Sequence, residues 1–294
     1  MTPIDLRSPR SAIVVMVAFL VGACVPVVPT TMAPPTRSPT IDVPPSATSL
    51  PPVSTLTRPQ REARVKDLLE TNGRCALPCW WGIQPGTTSA TDVDSLFLSM
   101  GAKILVDGES VPPGTHQVGG LDVAENLIQT EFSFMESGGI VQSIAVHGLA
   151  NQEPVGFREA WNTYSPQNVL SLLGAPSRIW INSARSGAPR ETYGLWLFYD
   201  EKGVLVQYTG LADKDEFLHI CPTFHEPSTI SSIQIILQGP MESGLLEDLL
   251  PYTLDPRYFR DIQIATGLSV ADAVEAMLDE ESPCFDTPRE IWPF

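Results

Sequence analysis

One local pattern occurs twice in this chain and leaves few folds open to it. A capped helix closes on glycine, and alternating apolar and polar residues then turn back on themselves. In the first copy Ser89 with Asp92 reads as an N-terminal cap, Val93, Leu96, Phe97 and Met100 form one apolar stripe, and Gly101 ends it. A strand over 104–106 follows. Further on, Ile128, Thr130, Phe132 and Phe134 face one way and Gln129, Glu131 and Ser133 the other, before turn residues at 136–139. In the second copy Ser165 caps, Pro166 takes the first helical position, and Val169, Leu172 and Leu173 precede Gly174. "YGLWLFYDEKGVLVQYTG" then makes a hairpin turning at 200–203, and "STISSIQIILQ" adds a strand with Ile233, Ile235 and Leu237 on one side. A hairpin alone is marginal in water, so the helices must cover its apolar face. The pattern predicts an α+β fold of duplicated helix-plus-antiparallel-hairpin units, at about 75–150 and 160–238, forming a two-layer sandwich. Val65, Leu68 and Leu69 predict a helix ahead of it. Behind it, Ser269 with Asp272 and the stripe Val270, Val274, Met277 and Leu278 predict a helical C-terminal tail over 239–294.

At "LLGAPSRIWI" followed by "LWLFYDEKGVLVQY" the chain resembles the small outer-membrane-assembly lipoproteins of the SmpA/OmlA family. The related two-layer fold of the β-lactamase inhibitor proteins uses the same helix–strand unit in tandem. The likeness covers 165–208 well and 88–147 loosely, and "CALPCWWGIQPGTT" resembles a segment of uncharacterised bacterial lipoproteins. The resemblance implies a protein-binding scaffold held at a membrane surface. Those assembly lipoproteins are one short unit, whereas this chain has two and a tail, and no binding residue is carried over, because shared fold is not shared function.

The N-terminus places such a domain. Arg7 and Arg10 precede an apolar run from Ala12 to Ala23, shorter than the roughly 20 residues a spanning helix needs. A charged start, a short apolar centre and small residues at the end describe an export signal. Val21-Gly22-Ala23-Cys24 resembles the bacterial lipobox, in which the cysteine is acylated and the chain is cut just before it. An ordinary signal with a chance cysteine is the alternative. The expected organisation is a signal at 1–23, lipidated Cys24, a Pro/Ser/Thr-rich tether over 24–59 and an extracytoplasmic domain at 60–294. The tether has no aromatic residue and no period, so it cannot bury enough surface to offset its ordering entropy.

The net charge of −16, with no basic block, argues against nucleic acid and against electrostatic adhesion to anionic lipid. Membrane attachment would then come from acyl chains. Beyond Cys24 stand Cys75, Cys79, Cys221 and Cys284, an even count that predicts two disulfides in an exported chain. Three pairings are open; Cys75–Cys79 with Cys221–Cys284 is the favoured one. "HICPTFH" offers His219, Cys221 and His225 to zinc, but a disulfide is the expected fate of Cys221, and no metal or cofactor is called for. Cys75-x-x-x-Cys79 lacks thioredoxin spacing and reads as a structural clasp. Trp80 and Trp81 beside it are candidates for a partner-binding edge, with burial at the core as the alternative. No nucleophile elbow, zinc-protease helix or phosphate loop appears. The expected function is therefore protein–protein interaction or scaffolding. The alternatives are a hydrolase with dispersed catalytic groups, or small-ligand capture between the repeats.

Overall fold

The computed structural model describes residues 56–106, 114–119, 129–150, 154–184, 190–213, 216–224, 230–240, 246–250, 254–279, 281 and 283–292. The export signal, Cys24, almost all of the tether and His225 lie outside them. Residues Pro51–Phe294 form one compact unit. Among the described residues no helix is long and apolar enough to cross a membrane.

The fold is α+β. Two helices open it, α1 (Arg58–Thr71) and α2 (Ala90–Ser99), followed by four strands: β1 (Lys103–Val106), β2 (Thr115–Gly119), β3 (Gln129–Ser137) and β4 (Ile140–Leu149). Two more helices follow, α3 (Pro154–Ala160) and α4 (Pro166–Leu173), then β5 (Arg178–Ala184), β6 (Arg190–Tyr199), β7 (Val204–Asp213), the short β8 (Phe217–Ile220) and β9 (Ile230–Gln238). The C-terminal part holds β10 (Phe259–Asp261), α5 (Ile262–Thr266), α6 (Val270–Leu278) and β11 (Phe285–Pro288). The tail is thus not simply helical: it gives one strand to the main sheet and another to a side ribbon.

Nine strands make one antiparallel sheet in the order β1-β2-β3-β4-β9-β7-β6-β5-β10, and β11 pairs with β8 separately. The centre is the β4–β9 pair, where Ile144 lies opposite Leu237 and Val146 opposite Ile235. Side chains alternate across this sheet as the period of two requires. One face carries Phe132, Phe134, Ile144, Val146, Ile179, Ile181, Leu195, Leu197, Val206, Tyr208, Ile233 and Ile235, all 3% exposed or less, and it forms the main core with the helices.

The helices begin where their caps say. The Ser89 and Ser165 hydroxyls accept from the backbone N–H of Asp92 and Asn168. Ser269 and Asp272 complete a reciprocal capping box, and the Ser269 hydrogen bonds hold the Asp272 carboxyl below its ordinary range. Packing is close where Trp161 lies across β4: a methyl at Gly148 would fall on its indole ring. Only glycine admits a ring so close to a strand backbone.

Candidate partner-binding face

The described disulfides are Cys75–Cys79 and Cys221–Cys284, the favoured pairing. The first closes a loop organised by Asn72, which is 5% exposed and occupies the left-handed region at φ 49°. Its amide donates to the carbonyls of Cys75 and Cys79, both at 2.8 Å, and its oxygen accepts from the Trp81 N–H at 2.9 Å. Nothing in the sequence pattern singled out Asn72, which caps the end of α1.

That loop turns its tryptophans inward. Trp80 is 0% and Trp81 5% exposed, so neither stands at an exposed edge and both take the alternative, burial in the core. The reason is a set of rings supplied from farther along the chain. Trp80 stacks on Tyr164 at 4.7 Å between centroids and meets Trp161 at 6.0 Å, while Trp81 meets Phe97 at 6.2 Å. Burial of this ring cluster drives the Tyr164 phenol pKa up, as it does for Tyr199 and Tyr208.

The other face of the sheet is different in kind, and it divides in two. Toward β5 and β10 it is apolar: Trp196, Phe198, Leu205 and Ile236 are covered by Leu246 and Leu250, with Trp180, Leu254 and Phe259 packed alongside. Trp196 meets Phe259 edge-on at 5.5 Å. A charged clamp fastens this cover. Arg178 lies 4.4 Å over the Phe198 ring, donates to both Asp200 oxygens at 2.8 and 3.0 Å, and reaches Glu247 at 2.6 Å. Burial alone would raise the Asp200 pKa, but the hydrogen bonds and charge of Arg178, with a hydrogen bond from Ser177, hold it below its ordinary value. For Arg178 the opposite holds: burial opposes the charge, and the two carboxylates outweigh it.

Beyond this cover the face becomes polar. Register places Trp180, Trp196, Gln207, Gln234, His147 and Glu131 in one row across six strands. Beside it run Asn182, Thr209 and Ser232. His147, Asn182, Gln207, Thr209 and Gln234 are half-buried. Trp196 Nε1 donates to Asn182 Oδ1 at 2.7 Å, and Gln207 Nε2 donates to Thr209 Oγ1 at 3.4 Å. Side-chain amides, hydroxyls and an imidazole on one sheet face carry both donors and acceptors. Their bland role is the solvated side of a sheet covered on its other face. The sequence displayed this row as polar alternation, but not that three separated hairpin segments would align it.

One further cluster stands at the β8–β11 ribbon, where His219 Nδ1 lies 2.7 Å from Asp286 Oδ1. Cys284 is the described neighbour of His219 and Cys221, and His225 lies outside the described residues.

Set against known protein families, curated proteins and solved structures, the chain matches none.

Proposed function

We propose that this chain is a lipoprotein held through Cys24 on the extracytoplasmic side of a membrane, and that its domain is a scaffold binding a protein partner on the polar half of its sheet. The observation that carries the binding role is the row Gln207, Gln234 and His147. These are half-buried polar side chains in register on the sheet face opposite the helix-side core. Such a surface offers a protein partner hydrogen bonds along a row set by the sheet register, and it lies beside the buried aromatic patch around Trp180 and Trp196 that holds the neighbouring strands in place. The anchor is supported by Val21 to Cys24 behind an apolar run, and by the Pro-rich tether that follows.

Duplication belongs to the same proposal. Each half runs two helices and then four strands of the main sheet, and each set of four is laid down from its outer strand toward the centre: β1 to β4 on one side, and β5, β6, β7, β9 on the other. That order supports a tandem unit of the kind the SmpA/OmlA resemblance implies.

The test is crosslinking on intact cells followed by purification from detergent. A near-stoichiometric protein that co-purifies with the native chain, and is lost with Gln207→Arg/Gln234→Arg while thermal unfolding is unchanged, is the expected result. A partner retained by that variant would remove the sheet face from the proposal. A native chain recovered alone would remove the scaffold role. For the anchor, Cys24→Ala should release the protein from the membrane fraction; a variant still membrane-bound would exclude lipidation at that residue.

A further inference from the structure

The C-terminal ribbon brings together groups that the scaffold role does not use. β8 and β11 pair with His219 opposite Asp286, and the Cys221–Cys284 disulfide ties the chain just beyond both strands. A ligand atom from each of His219, Cys221 and Cys284 lies within 4.8 Å of the others, the one such group found among the described residues. Tetrahedral zinc with two sulfurs and one nitrogen separates its ligand atoms by roughly 3.5–3.8 Å, from bond lengths of about 2.3 and 2.0 Å. The three groups are therefore in range once the sulfurs are no longer bonded to each other.

We infer that the reduced chain carries a zinc site here, in which the Cys221 and Cys284 thiolates and the His219 imidazole bind the ion. Asp286 is the positioning residue. Its carboxylate accepts from His219 Nδ1 at 2.7 Å, which fixes the tautomer and leaves Nε2 as the nitrogen able to bind the metal. His219 and Asp286 are more than half exposed, leaving the fourth position to water, while Cys221 is 4% exposed and gives the ion a buried wall. Two soft thiolates and an imidazole select zinc over magnesium or calcium. The exchange balances. A phosphine reductant breaks the S–S bond and, with one water, leaves as its oxide while each sulfur gains a proton. Zinc then displaces both thiol protons into solvent. Metal and disulfide are thus alternative fasteners for the same join between β8 and the C-terminal strand.

The experiment uses the full chain reduced by a phosphine without oxygen, titrated with zinc by calorimetry and with cobalt(II) by absorption. Reduction also frees Cys75 and Cys79, so uptake is read as the difference from Cys221→Ser/Cys284→Ser. The expected result is one additional zinc per chain and a thiolate-to-cobalt charge-transfer band absent from that variant. His219→Ala retains all the cysteines and forms the same disulfide when oxidised, so it serves even where the double serine variant unfolds. It should weaken zinc binding at least tenfold, and Asp286→Asn by about 10- to 100-fold. Equal zinc uptake by His219→Ala, equal uptake by the oxidised chain, or no charge-transfer band would each overturn the site.

Discussion

Glu191 sits at the inner face of β6, 0% exposed, and its only described counter-charge is Arg289 near the C-terminus, 3.0 Å away. Neither carboxylate oxygen has the alignment of a hydrogen bond, so the contact is a charge pair and nothing more directional. Burial without good geometry makes such a pair poor at adding stability but costly to break at one end. Removing one partner of a fully buried pair costs about 3–5 kcal/mol; with Arg289 38% exposed, Glu191→Ala should cost about 2–3 kcal/mol. Urea unfolding measures this as a lower midpoint at unchanged slope. Because removing Arg289 would leave the fully buried Glu191 carboxylate without its counter-charge, Glu191→Ala/Arg289→Ala should lose less than the two single variants summed. A change within about 0.5 kcal/mol for Glu191→Ala would mean that water reaches the pair.

At the scale of elements, the Cys221–Cys284 disulfide spans 63 positions and fastens β8 to the strand that follows α6. Loop closure on that length is worth about 4 kcal/mol by the chain-entropy model. Cys221→Ser/Cys284→Ser in the absence of added metal should lose most of that in urea unfolding. A loss under about 1 kcal/mol would show that the unfolded chain is already restrained there. The elements themselves were unequally legible. The stripe of α2, the serine caps of α2 and α4 and both hairpin turns are local signals, and they appear where the sequence places them. In α4 Val169 and Leu173 are buried as expected, but Leu172 is 55% exposed and Leu170 takes its place in the core. β8, β10 and β11 are three or four residues long and exist through pairing with distant strands, which no local period records. The candidate face was hidden for the same reason: Gln207 and Gln234 are ordinary polar positions of alternating strands, and only the β7–β9 register sets them opposite one another. Which of the two alternatives Trp80 takes was not legible, because its ring partners Trp161 and Tyr164 come from another part of the chain.

For the molecule as a whole, an excess of acid makes low pH the informative axis. The folded chain holds Asp200 and Asp272 below their ordinary carboxyl range, Asp200 through the clamp that fastens the cover over the aromatic patch. A depressed folded-state pKa adds stability that is complete above the unfolded value and disappears as pH falls through the folded one. The melting temperature should therefore decline from about pH 4 downward, the unfolded value for Asp being about 3.9. Asp200→Asn should start lower at neutral pH and lose less on acidification. A variant that tracks the native curve across that range would detach Asp200 from acid stability.

The position of β9 sets the order in which this molecule can be completed. It enters between β4 and β7, yet it is the last of the four central strands to be made. A chain emerging N-terminus first must hold the first four strands with the long inner edge of β4 unpaired until the whole second hairpin and β9 have followed. Such an edge is a template for pairing with the wrong chain, and closing it depends on contacts far apart in sequence. Slow maturation and a need for escort while half-synthesised are thus built into the strand order, independently of what the finished surface binds.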